Sequence, residues 1–264
     1  MQRATLKRPV ELPPAPGVLS RRLVRCGLEP APEGSGLRVQ RTDTGESWAI
    51  AVEHTVPATN RTAVGTAASN VSYLEHALAA LNAARVTEAL LWTDGPELPL
   101  FDGSAAAWWQ ALQEAGRREF QTPLRPVVLT EPVYVTCEGG VLLGLPAAQT
   151  TISYLLDYDH PQIGRQWAQW ADGEDFGDSL AAARTFATAE QVLAQTGLAA
   201  IPPEAEAVTV VVYPDRLSAP LPWPNALARH KLVDLLGDLY LLGRPLQGAV
   251  VALRTGHGDN HAFV

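Results

Sequence analysis

One arrangement constrains this chain more than any other. An apolar helical segment carrying a histidine, followed by an apolar strand, occurs once in each half. Leu74-Glu75-His76-Ala77-Leu78 leads to Ala89-Leu90-Leu91-Trp92, and Ala228-Arg229-His230-Lys231-Leu232 leads to Ala249-Val250-Val251-Ala252-Leu253. Leu74, Ala77, Leu78 and Leu81 have the i, i+3, i+4, i+7 spacing of a helix that buries one face. A unit of this kind cannot bury its apolar surface alone and must pack on another. Two readings fit: two similar α+β domains joined near Gln121–Arg125 with a site between them, or the coincidence of two helix–strand units. The first divides the chain into residues 1–122 and 123–264.

Around these units the Pro, Gly and Asp punctuation predicts further elements. Strands are expected at Arg21–Leu28, Leu37–Arg41, Trp48–Val52 and Glu88–Trp92, and helices at Asn70–Ala84 and Ser104–Ala115, the second opening on the Asp102-Gly103-Ser104 cap signal. In the second half strands are expected at Val127–Thr136, Gly140–Leu145, Thr151–Asp157, Val208–Tyr213 and Gly248–Leu253, and helices at Thr188–Thr196 and Ala226–Leu242.

Composition excludes several classes of function. A net charge of −8 and a pI near 5.2 argue against a nucleic-acid binder, which needs a basic field to displace counterions. No apolar run approaches the roughly 18 residues of a membrane span, and the first residues, Met1 to Lys7, lack the apolar stretch of a signal peptide. The expectation is a cytoplasmic protein. Cys26 and Cys137 form no CxxC pair, so a metal would be held by histidines and carboxylates. Lysine occurs only at positions 7 and 231, which makes Lys231 stand out beside His230.

His230 and Asp234 are four apart and share a helix face, with Asp238 one turn further on. A carboxylate among so many leucines is costly unless paired or bound to a metal. A solvent-facing polar stripe or a surface ion pair has the same spacing, and spacing alone does not separate them. With His76 the set becomes two histidines and an aspartate with one position open, the pattern of a catalytic rather than a structural zinc. Zinc lowers the pKa of a bound water to ~7, and Glu75, beside a ligand, is placed to take that water's proton.

At these residues the sequence resembles the UDP-3-O-acyl-N-acetylglucosamine deacetylases of lipid A synthesis. The matching stretches, in family order, are Tyr73 to Leu81, Phe101-Asp102-Gly103-Ser104-Ala105-Ala106, Asp157 to Gly164, Ala183-Arg184-Thr185-Phe186, the run Arg229 to Gly243, and Gly256-His257. The resemblance implies two α+β domains, each a sheet packed on helices, with the helices between the sheets and the active site at the domain interface. It implies Zn2+ on His76, His230 and Asp234, with Glu75 as general base. His257 would protonate the leaving amine or stabilise developing negative charge, and Asp238 would orient it. Thr185 would bind the oxyanion, Lys231 would contact the substrate, and Phe186 would lie where the nucleotide-sugar binds. A monomer acting on the UDP-sugar, without nucleic acid, is the expectation.

The substrate-holding loops depart from the family. Gly17-Val18-Leu19-Ser20-Arg21 stands for a Gly-Leu-His-Ser-Gly loop, Thr151 stands for a lysine, and Ala199-Ala200-Ile201-Pro202-Pro203 stands where a Gly-Gly-Ser segment is usual. Arg21 is a candidate replacement donor to the anionic substrate, because a guanidinium suits phosphate oxygens; a solvated arginine on an edge strand reads the same way. Alternatives to the deacetylase are a zinc amidase of the same fold for another acylated amino sugar, and a catalytically weak relative. His54 and His160 read as turn or packing residues, and His261 as solvent-exposed near a frayed end.

Overall fold

The computed structural model describes residues 1–264. Ten strands build two five-stranded sheets. The first contains β1 (Val10–Glu11), β2 (Cys26–Pro30), β3 (Leu37–Arg41), β4 (Ser47–Ala49) and β5 (Ala89–Thr93), in the order β1-β2-β5-β3-β4. The second contains β6 (Val133–Cys137), β7 (Gly140–Leu145), β8 (Thr151–Asp157), β9 (Arg165–Ala171) and β10 (Ala249–Leu253), in the order β6-β7-β10-β8-β9. The orientations also agree. Across each sheet the successive pairings are antiparallel, antiparallel, parallel and antiparallel. Two similar sheet-plus-helix domains therefore make up the molecule, and coincidence of two helix–strand units does not account for a shared strand order.

The helices are α1 (Glu75–Ala83), α2 (Ala106–Ala115), α3 (Ala189–Thr196), α4 (Pro203–Val208), α5 (Ala226–Leu239) and α6 (His257–Phe263). In β5 alternate residues are buried, as a strand with one core-facing side requires. Leu91 lies between Leu28 and Val39, and in the other sheet Ala252 lies between Leu142 and Tyr154; all six are buried. Between the sheets α1 and α5 pack on each other, so both are buried on nearly every side. One continuous core runs from the first sheet through both helices to the second.

Gly237 explains how close the two helices come. A Cβ on it would lie 2.0 Å from the Glu75 carbonyl oxygen. Glycine inside a helix costs about 0.5–1 kcal/mol relative to alanine, and here it lets a turn of α5 lie against the first turn of α1.

Several expected boundaries move. Asn70–Ser72 is a strand paired with Ala63–Gly65, not the first turn of a helix. Tyr73, with φ 63°, turns the chain before α1 begins at Glu75. The segment expected as one strand at Val127–Thr136 is split: Val127–Val128 pairs with Leu246–Gln247, and β6 starts after Pro132, which has no N–H to donate. Residues Pro203–Val208 are helical, with proline at the first helical position, leaving only Val210–Val212 extended. Strand β4 is followed by a 3-10 turn at Val52–His54, and α5 ends in another at Tyr240–Leu242, closed by Gly243 at φ 70°. The segment Arg21–Leu28 is likewise broken, into Leu23–Val24 and β2. The ribbon of Gln2–Leu6 with Arg117–Pro123, strand β9 and helix α6 were not expected from the sequence.

Gly237→Ala is therefore expected to destabilise the protein by at least about 1–3 kcal/mol, the cost of overpacking a close contact, despite the better helix propensity of alanine. Urea or thermal unfolding checks this; unchanged stability would mean that the helices do not cross as closely as described.

Candidate metal centre and active site

The two buried helices meet at their functional residues. Glu75 and His76 open α1, while His230, Lys231, Asp234 and Asp238 lie along α5. His76, His230 and Asp234 are each at most 4% exposed, and their donor atoms lie within 4.8 Å of one another. Asp234 Oδ1 is 3.3 Å from His230 Nε2 and 3.7 Å from His76 Nε2. Bonds of ~2.0–2.1 Å in a tetrahedral shell require donors about 3.3–3.4 Å apart, so the three atoms fit one metal ion with a small adjustment at His76. His230 Nδ1 lies 3.1 Å from the Ala183 carbonyl oxygen. That carbonyl accepts the Nδ1 proton and leaves Nε2 free as a ligand.

Burial pushes the His230 imidazole down to about 4, which keeps it neutral and available as a ligand. Burial acts the other way on Asp234, but His230, Lys231 and the neighbouring imidazoles outweigh it and hold its carboxyl well below the usual range. Lys231 Nζ donates to Asp234 Oδ2 at 2.7 Å, and despite burial this contact keeps the ammonium charged. Glu75 is 3% exposed, and burial raises its carboxyl above the ordinary value. Its Oε2 accepts the Thr62 amide N–H at 3.0 Å.

His257, the first residue of α6, completes the site from the second domain. Its Nδ1 donates to Asp238 Oδ2 at 2.7 Å, and its Nε2 is 4.0 Å from Asp234 Oδ2. Burial alone would lower its pKa; the Asp238 carboxylate more than reverses this and raises it to about 9. Asp238 is fully buried and its own carboxyl is held low by the same pairing.

Thr185 is held by a turn from the other domain. Its amide N–H donates to the Gly103 carbonyl at 2.7 Å, and its own carbonyl accepts from Val210 at 2.8 Å. Gly103 has φ +87°, and a Cβ there would lie 2.1 Å from the Val208 carbonyl oxygen, so only glycine fits. Arg184 clamps the same region, donating to the carbonyls of Asp102 (2.5 Å), Glu206 (3.0 Å) and Ala207 (2.9 Å). The Asp102-Gly103-Ser104 segment does bond locally, with Ser104 N–H on Asp102 Oδ1, but it also carries this cross-domain support. Phe186 begins a short strand and meets Tyr158 edge-on at 5.9 Å.

Arg21 is exposed at a tight turn, with φ 55°. The turn is anchored from below by the buried Glu97, whose carboxylate accepts the Leu19 and Ser20 N–H groups at 2.9 and 2.7 Å. His160 accepts the Gln162 N–H within its turn and His54 is exposed in a 3-10 turn, so both are turn residues. One expectation fails. His261 is not a solvent-exposed residue of a frayed end; it belongs to α6, its side chain is 17% exposed, and its Nε2 lies 2.9 Å from Thr62 Oγ1 and 3.5 Å from Asp238 Oδ1. Thr62, which meets Glu75, Asp238 and His261, is a single threonine outside any motif and so carries no signal in the sequence.

Comparison with known proteins agrees over almost the whole chain. The family model described as UDP-3-O-acyl N-acetylglycosamine deacetylase matches residues 3–264. The UDP-3-O-acyl-N-acetylglucosamine deacetylase of Synechocystis sp. is 36% identical over 87% of this chain and 86% of its own length. That of Myxococcus xanthus is 35% identical over 94% and 81%, and that of Leptospira biflexa 31% identical over 91% and 82%.

The His257–Asp238 pair sets a pH dependence. A histidine whose folded pKa is raised contributes stability that is fully present below the unfolded value of ~6.5 and lost as pH rises through about 9. In the metal-free protein Asp238→Asn is expected to cost about 3–5 kcal/mol near pH 6, as for a broken buried ion pair, and distinctly less above pH 9. Denaturant titrations of both proteins across this range check it; a pH-independent difference would contradict the pairing.

Proposed function

The chain belongs to the UDP-3-O-acyl N-acetylglycosamine deacetylase family, and from that premise we propose that it hydrolyses the N-acetyl amide of UDP-3-O-(3-hydroxyacyl)-N-acetylglucosamine. The products are acetate and the free amine, and the reaction is a step in lipid A biosynthesis. The observation that carries the proposal is the convergence of two groups on one buried triad: a glutamate with a raised pKa from the first domain and an aspartate-paired histidine from the second, against His76, His230 and Asp234.

We assign the metal as zinc, held by His76, His230 and Asp234, since two imidazoles and a carboxylate with an open position suit that ion. When bound, zinc supplies Lewis-acid polarisation of the acetyl carbonyl and lowers the pKa of a water. Glu75 takes the proton of the attacking water. Thr185 donates its hydroxyl to the oxygen that becomes negative. His257, held protonated by Asp238, gives its proton to the amine nitrogen as the C–N bond breaks. Lys231 keeps Asp234 ionised through its 2.7 Å contact and presents a cation to the substrate. Phe186 forms part of the wall for the nucleotide-sugar, and Arg21 reaches the substrate phosphates from the rim. The same proposal takes the domains as residues 1–122 and 123–264, with all strands of each five-stranded sheet on one side of that division, and the protein as a cytoplasmic monomer. No helix is long and apolar enough to cross a membrane.

The deciding experiment is incubation of the zinc-loaded protein with UDP-3-O-acyl-N-acetylglucosamine and assay of acetate and free amine. Glu75→Gln is expected to keep about one zinc per chain and to lose ~10²–10⁴-fold in kcat. His230→Ala with Asp234→Ala is expected to lose the metal. A Glu75→Gln protein that turned over normally, or a double variant that kept its zinc, would refute the assignment.

A further inference from the structure

Thr62 lies just before the strand Ala63–Gly65 and is fully buried. It touches both halves of the proposed acid–base machinery. Its amide N–H donates to Glu75 Oε2 at 3.0 Å, and its carbonyl accepts from Leu74 at 3.3 Å, just ahead of α1. Its hydroxyl donates to Asp238 Oδ1 and lies 2.9 Å from His261 Nε2, which can donate to it in turn. The other oxygen of Asp238, Oδ2, accepts from His257 Nδ1 at 2.7 Å and from Asn260 Nδ2 at 2.8 Å.

Of the side chains bonded to Asp238, only that of Thr62 comes from the first domain. The terminal torsion of an aspartate is broad, so bonds to Oδ2 alone leave the carboxylate plane free to turn. A donor on Oδ1 from another element fixes that plane, and with it the ring of His257.

We propose that Thr62 is a positioning residue for the deacetylation: it sets the placement of Glu75 relative to His257, holding the first through its main-chain amide and the second through Asp238. The proposal rests on the roles given above to Glu75 and His257. Thr62 is 0% exposed, which shuts it off from the cleft, and its hydroxyl meets only Asp238 Oδ1, His261 Nε2 and, at 3.3 Å, His257 Nδ1, so removing the hydroxyl breaks no bond to the metal triad.

The test compares Thr62→Val, which keeps the shape and removes the hydroxyl, with Thr62→Ser, which keeps the hydroxyl. For zinc-loaded protein, Thr62→Val is expected to lower kcat about 10- to 100-fold, the range for a hydrogen bond to a charged group, with KM within about twofold. Thr62→Ser is expected to retain kcat within about threefold. A second readout needs no turnover: the His257 Nδ1 proton resonance should shift in Thr62→Val and stay in place in Thr62→Ser. A merely structural residue would lower the melting temperature or the zinc-loaded fraction, yet leave kcat per zinc-loaded molecule and the resonance at wild-type values. That result overturns the proposal, as does a loss in Thr62→Ser as deep as in Thr62→Val. If Thr62→Val does not fold, Thr62→Ser decides alone, a kcat loss beyond about 10-fold overturning the proposal and retention supporting it. A wild-type protein that releases no acetate refutes the assigned reaction instead, while the resonance comparison still decides the role of Thr62.

Discussion

The contact of α1 with α5 is the constraint on which the rest of the structure depends. Each helix belongs to a different domain, and each is buried on nearly all sides between the two sheets. Their separation is set where Gly237 meets the Glu75 carbonyl, with no room for a Cβ. Glu75 and His76 are therefore brought to the level of His230, Asp234 and Asp238 by main-chain packing rather than by long flexible side chains. Such a site stays ordered because moving any donor requires moving a core helix.

Burying that many ionisable groups at one interface is tolerable only because nearly every charge has a partner. Lys231 answers Asp234, and His257 answers Asp238, at 2.7 Å in both cases. His230 is kept neutral by its burial, which outweighs the Asp234 carboxylate and the Ala183 carbonyl, both of which favour its protonated form. Glu75 is the exception. It has a main-chain donor but no directly bonded cation, and burial raises its pKa. A carboxylate in that state is more basic than one in water, which is the property a general base near neutral pH needs. The pairing of Asp234 and Asp238 and the absence of a bonded cation at Glu75 thus shift the three carboxyls in opposite directions.

The domain interface is also tied by contacts to main-chain carbonyls. The Gly103 carbonyl fixes Thr185, and Arg184 ties the Asp102 turn to the end of α4 through three carbonyls. Within the first domain, Glu97 holds the turn that carries Arg21 in place through two main-chain N–H groups. Glu97 and Gly103 are buried, so the turns they hold are fixed from the interior.

By itself the sequence determined what short-range chemistry can encode. The helix of residues 75–83 and the strands Gly140–Leu145 and Thr151–Asp157 follow from apolar periodicity and flanking turn residues, and the i, i+4 placement of His230, Asp234 and Asp238 follows from one helix face. It also revealed the duplication, since each half repeats a histidine helix and an apolar strand. What it left open depends on contacts between distant residues. Strand β9 lies at a sheet edge with Trp167 exposed and Trp170 buried, three residues apart on opposite faces, so its sequence shows no clean period of two, and α6 is short and polar, held by the bonds of Asn260 and His257 to Asp238 and by Phe263 against the core. His261 reads as part of a loose tail until the fold brings it to Thr62, and Thr62 has no motif around it. The pKa values of Glu75 and His257 are likewise properties of the closed interface. Burial and pairing, which create them, exist only once residues separated by more than a hundred positions share one desolvated site.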